Sequence, residues 1–437
     1  MNEKKDSELE IKQNESIDNK LVIKDNNKTF QNLNLKQWLI DQCLKLAIKS
    51  PTPVQTECIP EILKGNDVIA IAETGSGKTA TFVLPILHQL FQDPYGIYAL
   101  ILTPTRELAY QISQQFKSLG RSASIRVCLI TGGQDLAKES RELLTKPHIV
   151  VSTPGRMAHH IESKNIILNK IKFLVMDEAD RLLEDNFNSQ IEQIFKVIPE
   201  NRQTLLFSAT STNVLKSLPS SSNRKPFVYG LDTQPTTVTE LDQRYIFMPA
   251  NMKDAVLFSL IDKFEQKNPY SLIMVFTNTC KYCQVLKMVA MNVGLKCVCI
   301  HSLMKQKDRI DSLNRFKSNI VKILFATDVA SRGLDIPAID LVVNHNVPTR
   351  AKDYVHRVGR TARAGRVGSA ITLVNQFEVN LLHSIEDSIG KKLIEKKANN
   401  DEILKILTEI TVLKRGSEIK LEEIEFGDKR KKKRKIV

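Results

Sequence analysis

Short apolar runs alternate with longer amphipathic stretches along the chain from Phe30 onward. Each run is continuously apolar, and this pattern is typical of strands that are buried on both faces of a sheet. The runs in the first half lie at residues 67–72, 98–103, 125–130, 148–152, 173–176 and 204–207. Because helical patterns separate them, we expect a parallel sheet flanked by helices.

This rhythm is interrupted after Pro219 and resumes near residue 244. The intervening stretch is rich in Ser, Thr, Gln, Asp and Pro and lacks apolar periodicity, which is typical of a linker. Apolar runs return at residues 272–276, 297–300, 323–325, 341–343 and 370–374. The pattern predicts an α/β protein with tandem domains at residues 30–225 and 244–385, joined by a linker at residues 226–243.

The two ends of the chain have a different composition. Residues 1–29 contain no aromatic side chain and are rich in Asn, Lys, Glu and Asp, so we expect a disordered leader. Residues 386–437 form a polar, helical extension, in which positions 401–410 carry apolar residues at helical spacing. One face of this helix should therefore dock. The extension ends in a basic tail, with seven consecutive Lys and Arg residues at positions 429–435.

The charge balance favours polyanionic partners. Lys and Arg outnumber Asp and Glu by 63 to 49, giving a formal net charge of +14, of which the basic run supplies half. No apolar stretch approaches the roughly 18 residues that span a bilayer. The charged start lacks the apolar segment of a signal peptide. We expect an intracellular protein without a membrane partner.

The seven cysteines are expected to be free thiols in a reducing compartment. Cys280 and Cys283 form a C-x-x-C pattern, and Cys297 and Cys299 follow shortly after, so four thiolates are available for zinc. However, Cys297 and Cys299 fall within a predicted buried strand. The pattern favours packing thiols over a zinc site.

A phosphate-binding loop is predicted between the first strand and the following helix, with the sequence AETGSGKT at residues 72–79. Gly75 and Gly77 let the backbone curl so that its N–H groups, including those of Thr74 and Ser76, face phosphate oxygens. Lys78 supplies a positive charge to the β- and γ-phosphates. Thr79 offers a hydroxyl to Mg²⁺.

Carboxylates follow the predicted strand at residues 173–176. Asp177 is suited to hold Mg²⁺ through water, and Glu178 to polarise an attacking water molecule. Two acids at this point also suit the start of a helix, whose dipole favours negative charge. Downstream of a phosphate-binding loop, the catalytic interpretation is the stronger one.

Residues 177–180 read DEAD, the motif that names the DEAD-box RNA helicases. Other motifs of that family occur before and after it, in the order that the family shows. They lie at residues 51–55, 104–109, 132–133, 153–156, 208–210, 275–279, 326–335 and 356–363. The chain resembles this family over about residues 30–375. The resemblance implies two RecA-like domains, with ATP and Mg²⁺ as cofactors and RNA as partner. It also implies ATP hydrolysis coupled to the unwinding of short RNA duplexes.

The same resemblance implies roles for residues around the nucleotide. The amide of Gln55 would pair with an edge of adenine, next to the apolar side chains of Phe30 and Ile48. Asp335 would contact the ribose, and Gly333 would lie near the attacking water. The arginines that reach the γ-phosphate from the second domain would be Arg360 and Arg363, whose planar guanidinium groups suit phosphoryl oxygens.

Further roles carry over from the resemblance to the coupling of hydrolysis with unwinding and to RNA. The coupling residues would be Asp180, Ser208, Thr210 and His356, although Ser208 and Thr210 also suit helix capping. The RNA contacts would be Thr105, Arg106, Gly133, Thr153, Gly155 and Arg156 on one side, and Thr279, Gln306, Arg309 and Thr327 on the other. Such groups contact phosphates and sugars without reading bases.

Two positions depart from the family pattern. Ala47 stands where the family often has Gly, and Ala tolerates fewer backbone angles. Ser302 follows His301 where the family usually shows His-Gly. Neither position belongs to a predicted catalytic step.

Segments at residues 385–393, 412–415 and 418–423 look like those of small nucleolar DEAD-box helicases that act in small-subunit ribosome assembly. This resemblance implies pre-rRNA as the RNA partner, a nuclear and nucleolar location, a monomer, and a possible protein activator. An ATP-dependent RNA clamp that anchors partner proteins is the alternative, and slow product release would distinguish it. A scaffold without catalysis is disfavoured by the intact Lys78, Glu178, Arg360 and Arg363.

Overall fold

The structure is a computed structural model that describes residues 29–72, 75–183, 187–209, 225–230, 241–328, 336, 339–362, 368–424 and 426. It contains two seven-stranded sheets in which every paired strand is parallel. The predicted leader lies outside the described residues except for Thr29. No helix of the described part is both long and apolar enough to cross a membrane.

The first domain contains strands β1 to β7 and helices α1 to α8. Its strands are β1 Val68–Ile71, β2 Ala99–Leu102, β3 Val127–Ile130, β4 Ile149–Ser152, β5 Phe173–Asp177, β6 Gln203–Ser208 and β7 Phe227–Tyr229. Its helices are α1 Gln37–Lys45, α2 Pro53–Leu63, α3 Lys78–Leu90, α4 Arg106–Leu119, α5 Leu136–Leu144, α6 Pro154–Glu162, α7 Ala179–Leu182 and α8 Asn188–Phe195. Short 3₁₀ turns lie at Phe30–Leu33 and Arg121–Ala123.

The second domain contains strands β8 to β14 and helices α9 to α14. Its strands are β8 Leu241–Phe247, β9 Ile273–Thr277, β10 Cys297–Ile300, β11 Ile323–Thr327, β12 Leu341–Asn344, β13 Gly368–Val374 and β14 Ile394–Glu395. Its helices are α9 Lys253–Lys267, α10 Cys280–Asn292, α11 Gln306–Lys317, α12 Ala351–Val358, α13 Val379–Ile389 and α14 Asn400–Glu423. A 3₁₀ turn at Ala250–Met252 precedes α9.

The two sheets share one topology. The strand order is β3-β4-β2-β5-β6-β1-β7 in the first sheet and β10-β11-β9-β12-β13-β8-β14 in the second. Numbered from the first strand of each sheet, both orders read 3-4-2-5-6-1-7. The prediction of two similar α/β domains in tandem is therefore confirmed.

The central strands are apolar because helices cover both faces of each sheet. β1, β2 and β5 are buried along their whole length. Helices such as α4 turn an apolar side toward the sheet, with Leu108, Ile112 and Phe116 buried. All parallel strands of a sheet end at the same edge, so the loops after them converge there. In each domain, the predicted site residues that follow the strands therefore lie at this edge.

The domain boundaries differ from the sequence prediction. Phe227–Tyr229 pairs with β1 and Leu241–Phe247 with β13, so both ends of the predicted linker belong to sheets. Helix α13 crosses the predicted boundary at residue 385, and Ile394–Glu395 adds an edge strand beside β8. These strands lie at or next to a sheet edge. Their partial burial gives no continuous apolar run, and the prediction missed them for this reason.

The predicted docking of the C-terminal helix is confirmed. Ile403, Ile410 and Leu421 of α14 are buried in the core that α14 shares with α9 and α10. A buried polar contact reinforces this packing, because Lys414 Nζ donates to Asp254 Oδ2 of α9 at 2.8 Å. Helix α14 is therefore attached to the second domain.

Most of the cysteines behave as packing thiols. All seven lie in the described residues, all are free, and six of them are buried. Within the described part, no group of three or more His, Cys, Asp or Glu side chains is arranged to hold a metal ion. The zinc alternative for the four cysteines of the second domain is therefore not supported.

Ala47 adopts a left-handed backbone conformation, with φ of 60°. It follows the last turn of α1, where the N–H of Ile48 donates to the carbonyl of Cys43 at 2.9 Å. This position normally requires a left-handed residue and favours Gly, since a Cβ atom is strained there. The departure noted in the sequence thus carries a conformational cost.

We predict that Ala47→Gly stabilises the first domain by about 0.5 to 1 kcal/mol, because it relieves this strain. Trp38 is the single tryptophan and lies on α1, so denaturant unfolding followed by its fluorescence reports on this domain. The control is Ala137→Gly on the exposed part of α5, which should lower the stability by about 1 kcal/mol. A lower unfolding midpoint for Ala47→Gly would contradict the interpretation.

Candidate active site in the cleft between the domains

The phosphate-binding loop contains a left-handed backbone conformation that only glycine adopts easily. Gly77 has φ of 91° and immediately precedes α3, which begins at Lys78. A Cβ atom at Gly77 would lie 2.5 Å from Nε2 of Gln55, so the loop has no room for another side chain. The N–H groups at the start of α3 are therefore available to an anion. Thr74 lies outside the described residues.

Gln55 ties the start of α2 to this loop. Its Nε2 donates to the carbonyl of Gly77 at 3.1 Å, and its Oε1 accepts the N–H of Thr52 at 3.1 Å. The side chain is buried. Each amide atom still has capacity for a second hydrogen bond. The structure thus gives Gln55 a role in positioning the loop, and its predicted contact with adenine stays a prediction.

The two apolar residues predicted near the base lie in the same region of the first domain. Phe30 is only 2% exposed and belongs to the core, and its 3₁₀ turn packs against α2. Ile48 is partly buried against the same core. The ring of Phe30 is therefore mainly a packing group in this structure.

The acidic motif lies at the end of β5, facing the loop. Asp177 closes the strand, and Oδ1 of Asp177 accepts the N–H of Glu178 at 3.0 Å. Glu178 has φ of 53°, a left-handed conformation that is rare for such a residue and that recurs at functional sites. Its carboxylate lies 3.4 Å from Nη1 of Arg181.

The electrostatics of this motif suit a cation. Burial raises the pKa of Asp177 to about 7, while the charge of Lys78 acts in the opposite direction. Burial also lowers the pKa of Lys78, whose Nζ donates to the carbonyls of Ala72 and Ser208. A buried carboxylate that ionises this reluctantly gains from a divalent cation beside it.

The second domain completes the site. A cavity of about 530 Å³ is lined by residues of both domains. These include Gly75, Gly77, Lys78, Thr79, Asp177 and Glu178 from the first domain and Arg360 from the second. Arg360 is 3% exposed, and its Nε donates to the carbonyl of His356 at 3.3 Å. Arg363, Gly333 and Asp335 lie outside the described residues.

Two of the predicted coupling residues are neighbours across the domains. Nε2 of His356 lies 3.8 Å from Oδ2 of Asp180, which is too long for a direct hydrogen bond. Both side chains are buried. Ser208 ends β6 and is buried, with its carbonyl bound by Lys78 at 3.2 Å. Thr210 lies outside the described residues.

A second interdomain contact was not predicted. Glu107 of α4 accepts a hydrogen bond at Oε1 from Nε2 of Gln306 at 2.9 Å. Its Oε2 lies 2.8 Å from Nη2 of Arg309. Both partners are on α11 of the second domain, and the ion pair is almost fully buried. The sequence predicts RNA contacts for Gln306 and Arg309, but the structure shows their side chains bound to Glu107.

Comparison with known proteins identifies the family. Residues 52–218 match the family described as DEAD/DEAH box helicase, and residues 252–365 match the helicase conserved C-terminal domain. The human protein named Probable ATP-dependent RNA helicase DDX49 is 52% identical over 405 residues, covering 92% of this chain and 84% of that protein. The human Probable ATP-dependent RNA helicase DDX47 is 43% identical, covering 95% and 90%. The chain belongs to the DEAD-box family of ATP-dependent RNA helicases.

The fold of this helicase agrees with a solved relative. The structure of S. cerevisiae Dbp5 bound to RNA and ADP BeF3 aligns with a TM-score of 0.76 and 27% identity. The alignment covers 88% of this chain and 99% of that chain. The RecA-like assignment of both domains is therefore confirmed, and the helicase is an ATP-hydrolysing enzyme.

On the first domain of the helicase, two of the predicted RNA residues are arginines that contact neighbouring groups, and a third is a threonine that caps a helix. Arg106 lies against the glycine pair, because a Cβ atom at Gly133 would be 2.5 Å from its Nη1. Arg156 is anchored by the buried carboxylate of Glu139, whose Oε2 lies 2.6 Å from Nε of Arg156. The hydroxyl of Thr105 is buried and accepts a backbone N–H of α4, so it mainly caps that helix.

The remaining predicted RNA residues lie at helix starts and strand ends. Thr153 precedes α6 and Gly155 is exposed in its first turn. Thr279 is exposed at the start of α10, where its hydroxyl accepts the N–H of Tyr282 at 3.2 Å. Thr327 ends β11 and is 6% exposed. Gly133, Gly155 and Thr279 are thus the exposed members of the predicted set.

Glu107 and Glu139 are buried carboxylates bound to predicted site residues, and the sequence argument missed them. Each lies in the first turn of a helix, where an acid is already explained by the helix dipole. The signal that distinguishes them is burial, since Glu107 is 4% and Glu139 is 1% exposed. Buried carboxylates require a partner, and the sequence alone does not show which partner.

We predict that Glu107→Gln weakens domain closure, because it leaves Arg309 without its carboxylate partner. Loss of one member of a buried pair costs several kcal/mol. We therefore expect an apparent RNA affinity about tenfold weaker or worse in the presence of an ATP analogue. Fluorescence transfer between a dye on each domain measures closure directly.

The matched control for this prediction is Glu192→Gln, an exposed carboxamide substitution on α8 of the same domain. It should leave closure and RNA affinity unchanged. If Glu107→Gln closes as readily as the unsubstituted protein, the interdomain contact has no energetic role.

Proposed function

We propose that this enzyme uses Mg²⁺-ATP to separate short RNA duplexes during pre-rRNA processing and small-subunit ribosome assembly. One observation carries the mechanism, namely that the cavity is lined by Lys78 and Glu178 of one domain and Arg360 of the other. A nucleotide bound there would join the domains, so that hydrolysis and domain opening become linked.

The residues of the cleft fit ATP and Mg²⁺. The start of α3 offers backbone N–H groups to phosphates, and Lys78 adds a positive charge. Mg²⁺ usually takes one or two protein ligands together with phosphate oxygens and water. Thr79 and Asp177, which line the same cavity, would supply these ligands. When bound, the ion neutralises charge on the phosphates.

The chain's own residues then divide the work of hydrolysis. Glu178 would orient and polarise the attacking water, and Arg360 would stabilise negative charge that develops on the phosphoryl oxygens. Arg360 reaches the cavity only when the domains are close together. Closure therefore completes the active site. After hydrolysis, loss of the phosphoryl group would remove its contact with Arg360 and so weaken the closed state.

RNA would bind to both domains in the closed state. The proposed contacts would come from Arg106, Gly133 and Gly155 on the first domain and from Thr279 on the second. RNA bound to both sides stabilises the closed state that hydrolyses ATP, so each ligand should promote the binding of the other. A strand bent to fit both surfaces would lose its pairing partner.

The assignment to pre-rRNA and to the nucleolus rests on the C-terminal extension. Its segments at residues 385–393, 412–415 and 418–423 resemble the nucleolar subgroup, and positions 429–435 are all basic. A basic run favours a polyanion and also suits nuclear import. A monomeric enzyme that responds to a protein activator is part of the same proposal. The clamp alternative gains no support from the relatives, which are named as helicases.

We predict that Glu178→Gln binds ATP and RNA but hydrolyses ATP at least 100-fold more slowly, because the attacking water loses its base. The assay compares hydrolysis with single-stranded RNA, with DNA of equal length, and without nucleic acid. Glu162→Gln, exposed near the end of α6, is the control. Hydrolysis by Glu178→Gln at the unsubstituted rate would refute this role, and equal stimulation by DNA would refute the RNA preference.

The pre-rRNA assignment has a separate test. Cells expressing tagged Glu178→Gln should trap the RNA complex, and crosslinking followed by sequencing should recover precursor rRNA in preference to mRNA. Fluorescence microscopy of the tagged protein should show nucleolar signal. Crosslinks spread over mRNA, with cytoplasmic fluorescence, would leave the helicase activity intact and remove the ribosomal part of the proposal.

A further inference from the structure

The second domain carries a pair of cysteines at the start of a helix that directly follows a strand. Cys280 is the first residue of α10 and Cys283 lies one turn later. Of the seven cysteines, all of which are described, only Cys280 is not fully buried. Cys283 is 0% exposed. A partly exposed thiol followed by a buried one in a C-x-x-C at a helix N-terminus is the arrangement of redox-active dithiols.

The surroundings of Cys280 favour a thiolate. Its Sγ lies 3.3 Å from Oγ of Ser302, and the N-terminus of α10 adds positive potential. Burial alone would raise the pKa of Cys280, but hydrogen bonds from His301 and Ser302 outweigh it and bring the pKa down to about 7. A thiolate is thus present at neutral pH, and the thiolate is the nucleophile.

Ser302 is one of the two positions at which this chain departs from the family pattern. A glycine there would have no hydroxyl to offer to Cys280. The hydroxyl contact is therefore a property of this chain, which pairs an unusual serine with a cysteine at the start of α10. The ring of Phe426 covers His301 edge-on, with 5.6 Å between ring centroids.

Cys283 is placed to resolve an oxidised Cys280. Residues three apart on a helix have Cβ atoms about 5 to 6 Å apart. A disulfide needs a separation of about 3.5 to 4.5 Å, so a small change in the first turn of the helix is sufficient. Burial, followed by a hydrogen bond with Cys299, raises the pKa of Cys283 well above its ordinary value, so Cys283 is a thiol beside two neighbouring cysteines.

We propose that Cys280 and Cys283 form a redox-active dithiol that peroxides oxidise to a disulfide, and that this disulfide weakens RNA binding by the second domain. The part that concerns RNA rests on the proposed function. The oxidant is hydrogen peroxide, and a small dithiol or a cellular thiol reductant reverses the reaction.

The chemistry balances over two steps. The Cys280 thiolate attacks one peroxide oxygen, the O–O bond breaks, and the leaving hydroxide takes a proton to give water and a sulfenic acid on Cys280. The Cys283 sulfur then attacks the Cys280 sulfur, the S–O bond breaks, and the proton of the Cys283 thiol leaves with the hydroxyl as water. Two electrons pass from the dithiol to the peroxide.

The effect on RNA follows from the position of the pair. Thr279 and Ser302, which flank Cys280, are both exposed, and Thr279 is the predicted RNA contact that caps α10 through the N–H of Tyr282. Closing the disulfide draws Cys280 toward Cys283 and away from Ser302. The first turn of α10 then changes shape, and the Thr279 hydroxyl and the neighbouring N–H groups move with it.

The thiol chemistry is tested on the full-length protein with one to two equivalents of hydrogen peroxide, followed by mass spectrometry of non-reduced peptides. We expect a Cys280–Cys283 disulfide that Cys280→Ser abolishes, and a sulfenic acid on Cys280 in Cys283→Ser. The matched control, Cys297→Ser on β10, should form the disulfide normally. A disulfide between Cys283 and Cys299, or an unmodified Cys280, would overturn the proposal.

The role of Ser302 is tested by the rate at which iodoacetamide alkylates Cys280. Ser302→Ala should slow this reaction several-fold at pH 7, because the thiolate loses a hydrogen-bond donor. At pH 10, where the thiol is ionised in either protein, the rates should agree. Equal rates at pH 7 would show that Ser302 does not activate the thiol.

RNA affinity is then compared between reduced and peroxide-treated protein, with an ATP analogue present. We expect about tenfold weaker binding after oxidation, restored by dithiothreitol, and no change in Cys280→Ser or Cys283→Ser. Equal affinity in both states, with the disulfide present, would refute the regulatory part. Failure of the reduced protein to bind RNA would instead refute the proposed function and leave the thiol result standing.

Discussion

The buried carboxylate of Glu107 joins the two domains that line the active site, because Gln306 and Arg309 of the second domain both bind it. It fixes α4 of one domain against α11 of the other. With the domains in this relation, Arg360 lines the same cavity as Lys78. The carboxylate of Glu107 and the guanidinium of Arg309 form a charge pair removed from water. Loss of either partner would leave the other charge buried and unpaired, which is strongly destabilising. This contact joins the two domains through protein side chains alone.

The shared strand order explains how two domains can build one site. In each sheet the parallel strands end at one edge, so β1, β5 and β6 deliver the phosphate-binding loop, the acidic motif and Ser208 to the same place. The second sheet presents its own edge through the starts of α10 and α11 and through the segment after α12. Placing two such edges face to face creates a cleft that neither domain has alone.

Much of this was predictable from the sequence, for physical reasons. Strands buried on both faces leave continuous apolar runs, so β1 to β6 and β9 to β13 are found within about two residues of their observed bounds. The motifs around Lys78 and Asp177 follow from their spacing after such strands. Strands β7, β8 and β14 escaped because partial burial removes the apolar signal. Partners across the cleft, such as Glu107 with Arg309, escaped because no local pattern records what lies 200 residues away.

The attachment of α14 has a mechanical consequence. Lys414 binds Asp254, and Asp254 also lies 2.9 Å from Nε2 of His345, so the helix is bound into the core of the second domain. It therefore travels with that domain as one solid body. Phe426, at the far end, lies beside His301. Every cycle of closing and opening would therefore carry Phe426 together with the second domain, toward and away from the first. Helix α14 is in this sense part of the second domain's moving body, and any group attached to the helix moves with that domain.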